Sequence, residues 1–172
     1  MENEIVDRSA IAESKRPTFL TVLCIITFAV SAYYLFDGVL TIFVSKSFDT
    51  SQWDMISEQM EEALEGAEPG AAQMVETVME AVSETTVRAI NNATTLGLIT
   101  FFVALLSAYG AYLMFNLRKI GFTIYTAAKI VGIVVPLIIL GVNFLTIILY
   151  SIAAVIGLIF IILYAVNRKY MT

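Results

Sequence analysis

Four stretches of the chain are apolar almost without interruption, and polar residues gather between them. They cover residues 18–44, 93–115, 120–140 and 144–166, with lengths of 27, 23, 21 and 23 residues. About 20 helical residues cross the hydrocarbon core of a bilayer, so each run predicts one transmembrane helix. A transmembrane barrel would show segments of about 10 residues alternating in hydrophobicity, and these runs are continuous. Pro17 stands just ahead of the first run, where its missing N–H is no loss because first-turn amides have no intrahelical partner. That run follows Lys15-Arg16, as the core of a signal peptide does. It exceeds the roughly 7–15 apolar residues of such a core, so it is expected to be a retained helix.

The connection over residues 45–92 has a different pattern. Trp53, Ile56, Met60 and Ala63/Leu64 recur at three- and four-residue steps after Ser51-x-x-Asp54, the spacing of a capping box. Glu68-Pro69-Gly70 interrupts the period, and Met74, Val75, Val78, Met79, Val82, Ala89 and Ile90 resume it. Two amphipathic helices are expected, over 51–65 and 71–91, folded as a hairpin. Asn91-Asn92 is the one sign of a break before the next span. Trp53, Ile56 and Met60 are expected to face Met74, Val78 and Val82 or a partner, while Glu61, Glu65, Glu76 and Glu80 face water.

The second and third spans are joined by Asn116-Leu117-Arg118-Lys119 and the third and fourth by Gly141-Val142-Asn143. Turns this short force antiparallel neighbours. The expected fold is an all-α integral membrane protein, an antiparallel bundle of four transmembrane helices with an amphipathic helical hairpin between spans one and two. Ala104, Ser107, Ala108 and Ala111, with Ala128, Gly132, Ala153 and Gly157, supply the small-residue faces on which membrane helices approach closely.

Seven cations (Arg8, Lys15, Arg16, Arg118, Lys119, Arg168 and Lys169) fall on one side of this layout. Only Lys46 and Arg88 fall on the other. The positive-inside rule then places residues 1–17, the 116–119 turn and residues 167–172 in the cytoplasm. The 45–92 connection and the 141–143 turn lie outside. An even number of spans independently requires both termini on one side.

Composition strengthens the assignment. The chain of 172 residues is 59% hydrophobic and 15% charged, with a mean hydropathy of +0.83. A soluble domain has about 45–50% apolar and 25% charged residues, so an ordinary water-soluble enzyme is excluded. The absence of His and the single Cys remove a histidine relay and an intrachain disulfide and leave little scope for metal chemistry. No metal, cofactor or catalytic residue is expected. Residues 45–92 hold ten acids against two bases, a net charge of −8 in a chain whose total is −5. Acidic helices match anionic headgroups poorly, so this segment is expected to pack on itself or meet a protein. Within it, Glu61, Glu62 and Glu65 are expected to form a solvated face.

Lys129 carries the strongest functional signal inside the spans. It lies ten residues after Lys119, roughly 15 Å into the membrane at about 1.5 Å per residue. A lysine at that depth costs on the order of 2.5–3.5 kcal/mol on insertion scales. It faces a polar cavity, binds a lipid phosphate, or snorkels toward the cytoplasmic headgroups past Tyr125 and Thr126, one turn back on its helix. Asp37 is 19 residues beyond Thr18, roughly 28 Å along, so about 13 Å of depth separates it from Lys129. No ion pair is expected between them, and Asp37-Gly38 is expected to loosen the first helix near the outer interface. Pro136, four residues after Gly132, permits a bend. Cys24 sits in an apolar helix and is expected to be structural.

Arg16-Pro17-Thr18-Phe19-Leu20-Thr21-Val22-Leu23-Cys24-Ile25 and Leu117-Arg118-Lys119-Ile120-Gly121-Phe122-Thr123-Ile124-Tyr125, in this span layout, resemble small four-span inner-membrane proteins of bacteria. The resemblance implies a location and a fold and brings no activity with it. The expected function is a non-enzymatic subunit or scaffold that docks on a larger membrane assembly through the acidic hairpin, at Trp53, Ile56, Met60, Met74 and Val78, or through a bundle face. The alternative is a small oligomeric channel or transporter with Lys129 near the pathway or a lipid phosphate. The expected partners are the bilayer and another membrane subunit or a second copy, with no nucleic acid.

Overall fold

The computed structural model describes residues 17–44, 55–56, 58–59 and 69–171. The described residues hold five long helices, α1 (Thr18–Val44), α2 (Pro69–Asn91), α3 (Ala93–Phe115), α4 (Ile120–Leu140) and α5 (Phe144–Asn167), with a final 3-10 turn at Arg168–Tyr170. α1, α3, α4 and α5 are long and apolar enough to cross a membrane. Their outward faces carry Ile25, Phe36, Phe102, Ile138 and Ile156, all more than half exposed. Water does not tolerate so extended an apolar surface on a monomer, and lipid does. The chain is a small integral membrane protein built as a four-helix bundle, with an additional helix between its first two spans.

The span limits match the hydropathy pattern, with α5 one residue longer than expected. The helix before the second span begins at Pro69 rather than residue 71. Proline suits a first helical position, so the Pro-Gly pair opens the helix instead of preceding it. Asn92 barely separates α2 from α3. Its N–H donates to Arg88 O at 3.1 Å and its carbonyl accepts from Leu96 N at 2.9 Å, continuing the helical ladder. Of the other expected hairpin helix, Met55, Ile56, Glu58 and Gln59 are helical. Trp53, Met60, Glu61, Glu62 and Glu65 lie outside the described residues.

α1 packs along α3, α3 along α4, and α4 more loosely against α5, whereas α1 and α5 touch only thinly. The first two contacts rest on glycine pairs. A Cβ on Gly38 would lie 2.9 Å from Gly97 O and Phe101 N, and one on Gly110 would lie 2.9 Å from Gly121 O and Tyr125 N. Only a missing side chain lets the backbones meet this closely. The expected loosening at Asp37-Gly38 is therefore corrected: α1 is unbroken there, and Gly38 is the point at which α1 and α3 cross.

The bundle is sealed at the Lys119 end. Leu20, Leu23, Cys24, Met114, Tyr125, Tyr164 and Met171 form one buried cluster. Cys24 is structural, its Sγ 3.6 Å from Ala111 O. Leu117 turns the chain with a φ of 59°. Its N–H reaches Met114 O and the N–H of Arg118 reaches Leu113 O, both at 2.9 Å. This is a Schellman closure with leucine where glycine is usual. The leucine side chain packs on the buried cluster, which offsets the backbone conformation.

At the opposite end Asn143 and Thr146 cap α5 reciprocally. Asn143 Oδ1 accepts from Thr146 N and Thr146 Oγ1 accepts from Asn143 N, both at 2.9 Å. Thr146 Oγ1 also donates to Gly141 O at 2.8 Å, tying the turn to the helix. The Asn143 amide donates to Thr85 Oγ1 at 2.9 Å and holds the C-terminal half of α2 on the α4–α5 turn.

Candidate functional site

Between α1, α3, α4 and α5 lies a cavity of about 560 Å³. It exists because the residues facing it are small: Ala104, Ser107, Gly132, Ala153 and Gly157 all line it. The pattern predicted these positions as close-approach faces, and the structure divides them. Ala111 and Ala128 are buried at helix contacts. A Cβ on Gly157 would meet only Ile133 Cδ1 at 3.9 Å, so that glycine leaves open space. Pro136, also in the lining, has no N–H to offer the Gly132 carbonyl.

Lys129 lines this cavity and is half-buried. Its Nζ lies 5.4 Å from the centre of the Tyr125 ring, within cation–π range. Among the described residues Lys129 is the one charged residue in the lining. Among the described residues the ion pair is Arg88–Glu84 on α2, so neither Asp37 nor another described carboxylate neutralises Lys129. Tyr125 joins Lys129 in the lining, whereas Thr126, expected beside them, does not.

Tyr125, in the lining, belongs also to the buried cluster that holds Tyr164. Tyr125 and Tyr164 stack edge to face at 5.0 Å. Tyr164 Oη donates to Leu23 O at 3.2 Å, which leaves it to accept from Thr27 Oγ1 at 2.8 Å. The register that sets Gly110 against Tyr125 and Gly132 against Val103 brings Ser107 to the depth of Ala128–Lys129. The Ser107 hydroxyl is buried and has no hydrogen-bond partner among the described residues. Sequence reasoning treated Ser107 as packing alone. Its place at the depth of Lys129 depends on helix register, which local sequence does not carry.

A second feature lies outside the spans. The C-terminal half of α2 is fastened to the bundle through Ala81, which is buried, and Thr85. In the N-terminal half Met74 is 72% and Val78 41% exposed, beside Phe144 of α5 at 61%. Gly70, Gln73, Met74, Thr77, Val78 and Phe144 line a shallow groove there. Ile56, further back in the chain, is also exposed. Glu76 and Glu80 are exposed, as their positions on the polar face predict.

Catalysis needs ionisable groups within reach of one another. Among the described residues no three His, Cys, Asp or Glu side chains converge as metal ligands, and the cavity offers one cation among hydroxyls. No protein-family model, curated protein or solved structure matches this chain.

Proposed function

We propose that this protein is a non-enzymatic accessory subunit of a bacterial inner-membrane assembly, docking on a larger membrane protein through the outer half of α2. One observation carries the reading. An amphipathic helix anchored at one end leaves Met74 and Val78 uncovered at the other, continuous with Phe144 at the start of α5. Exposed apolar residues near the membrane surface could instead meet headgroups, but surface-seeking helices are rich in Lys and Arg. The connection carrying this one has a net charge of −8. That charge repels an anionic lipid surface and favours a neutral or basic protein surface. Methionine suits the contact, because its unbranched thioether adapts to a partner's shape.

The orientation belongs to the same proposal. Both termini face the cytoplasm, with α2 outside, as the distribution of seven cations against two supports. A photo-crosslinking residue at Met74 or Val78 tests the docking face. The expected result is one cross-linked product with a second membrane protein, absent when the probe stands at Glu76. A product containing two copies of this chain would make the face a homo-oligomer contact. No product from either position would contradict the reading.

A further inference from the structure

The cavity beside Lys129 is independent of the docking face and combines features that call for a ligand. Protein interiors are close-packed, and about 560 Å³ of space with an apolar lining forfeits contacts along the whole of that lining. Toward its Lys119 end stand an ammonium with no carboxylate among the described residues and, at the same depth on α3, the buried hydroxyl of Ser107, which has no hydrogen-bond partner among them either. Toward the Asn143 end the walls are mainly apolar, with Ile133, Pro136, Leu149 and Ile152. A cation and a hydroxyl at one end of an apolar cleft describe the negative image of an amphiphile with an acidic head.

We propose that this cavity binds a single-chain anionic amphiphile, its head between Lys129 and Ser107 and its chain along Ile133, Pro136 and Ile152. The head supplies the charge-assisted hydrogen bonds that Lys129 lacks among the described residues. The cavity, at about 560 Å³, falls within the roughly 300–1,000 Å³ of sites that hold one small ligand. Entry is lateral, because α1 and α5 touch only thinly and the seam between them faces the bilayer. A carboxylate head from a free fatty acid and a phosphate head from a lysophospholipid share this chemistry.

The test uses the full chain in phosphatidylcholine nanodiscs, with a fluorescent polyene fatty acid and its methyl ester as probes. The acid should bind saturably, one per chain, and the ester at least tenfold more weakly. That comparison needs no variant. Lys129→Met should reduce acid binding to the level of the ester, and Lys129→Arg should retain it. Gly157→Phe, which fills the cavity, should abolish binding of both while the circular dichroism and elution volume stay unchanged. Displacement by palmitate, by lysophosphatidate or by both supports the site and names its head group. Equal binding of acid and ester by the unmodified chain would overturn the proposal. So would undiminished acid binding by Lys129→Met, or retained binding by a folded Gly157→Phe.

Discussion

The hydroxyls of Thr27 and Tyr164, 137 positions apart in the chain, stand 2.8 Å from each other across the narrow contact of α1 with α5. Tyr164 donates its O–H to Leu23 O, which leaves its oxygen to accept from Thr27. The first and last spans are joined there although they share little other surface. Removing one hydroxyl leaves the other buried without this partner, whereas removing both leaves two apolar side chains of nearly the same shape. Tyr164→Phe and Thr27→Val should each destabilise the bundle, and the double variant should cost less than their sum. Hydrogen bonds between membrane helices are worth about 0.6 kcal/mol on average and up to about 1.7. A double-mutant cycle in mixed micelles should return a coupling in that range, and strict additivity would show that the pair does not act together.

Two glycines should respond oppositely to alanine. At Gly38 the added Cβ falls 2.9 Å from backbone atoms of α3, which cannot move aside as a flexible side chain can. Gly38→Ala should force α1 and α3 apart, at a cost of about 1–3 kcal/mol, typical of overpacking. At Gly70 nothing lies within 4 Å of the added atom. Gly70→Ala should stabilise α2 by about 0.4–1 kcal/mol, by restricting the unfolded chain. Denaturation midpoints of the two variants in one detergent check the contrast.

Asn143 serves two elements at once, capping α5 and holding Thr85 of α2. Asn143→Ala should cost about 0.5–2 kcal/mol, the usual range for a lost cap. It should also speed amide exchange in residues 81–91 more than in α3. Faster exchange confined to the first turn of α5 would show that α2 does not depend on this contact.

Much of the fold is legible in the sequence because membrane solvation is a local property. A continuous apolar run ended by Asn116-Leu117-Arg118-Lys119 states its own limits, and the period of Met74, Val78 and Val82 states a helix without reference to anything distant. Register between helices is not local. Gly38 looks like a weak point beside Asp37 until Gly97 is known to face it. Gly157 looks like contact surface, although the open space beside it makes it a cavity wall, whereas Gly132, also in the lining, does meet Val103 of α3 closely. Lys129 stands out by its charge alone, whereas Ser107 becomes informative only once α3 sets it at the depth of that charge. The reciprocal cap between Asn143 and Thr146 was within reach, since an Asn-x-x-Thr spacing opens the fourth apolar run.

The proposed membrane orientation predicts opposite labelling of two exposed positions. On a Cys24→Ala background, Gln73→Cys should react with an impermeant thiol reagent in spheroplasts of intact cells, because it lies on the outer part of α2. Asn116→Cys, in the turn rich in cations, should react only after the membrane is opened. The reverse pattern would invert the topology.

Docking through α2 is tested most directly by the size of the complex that survives extraction in a mild detergent. Measured by mass photometry, the unmodified chain should run with a larger partner at fixed stoichiometry. The Met74→Ser/Val78→Ser pair should release the chain at its own mass, because it removes the apolar contact from residues that the bundle does not bury. Glu76→Gln/Glu80→Gln, on the solvent side of the same helix, should leave the complex intact. A unmodified chain that runs alone, or serine variants that keep the partner as well as the glutamine variants do, would contradict the account.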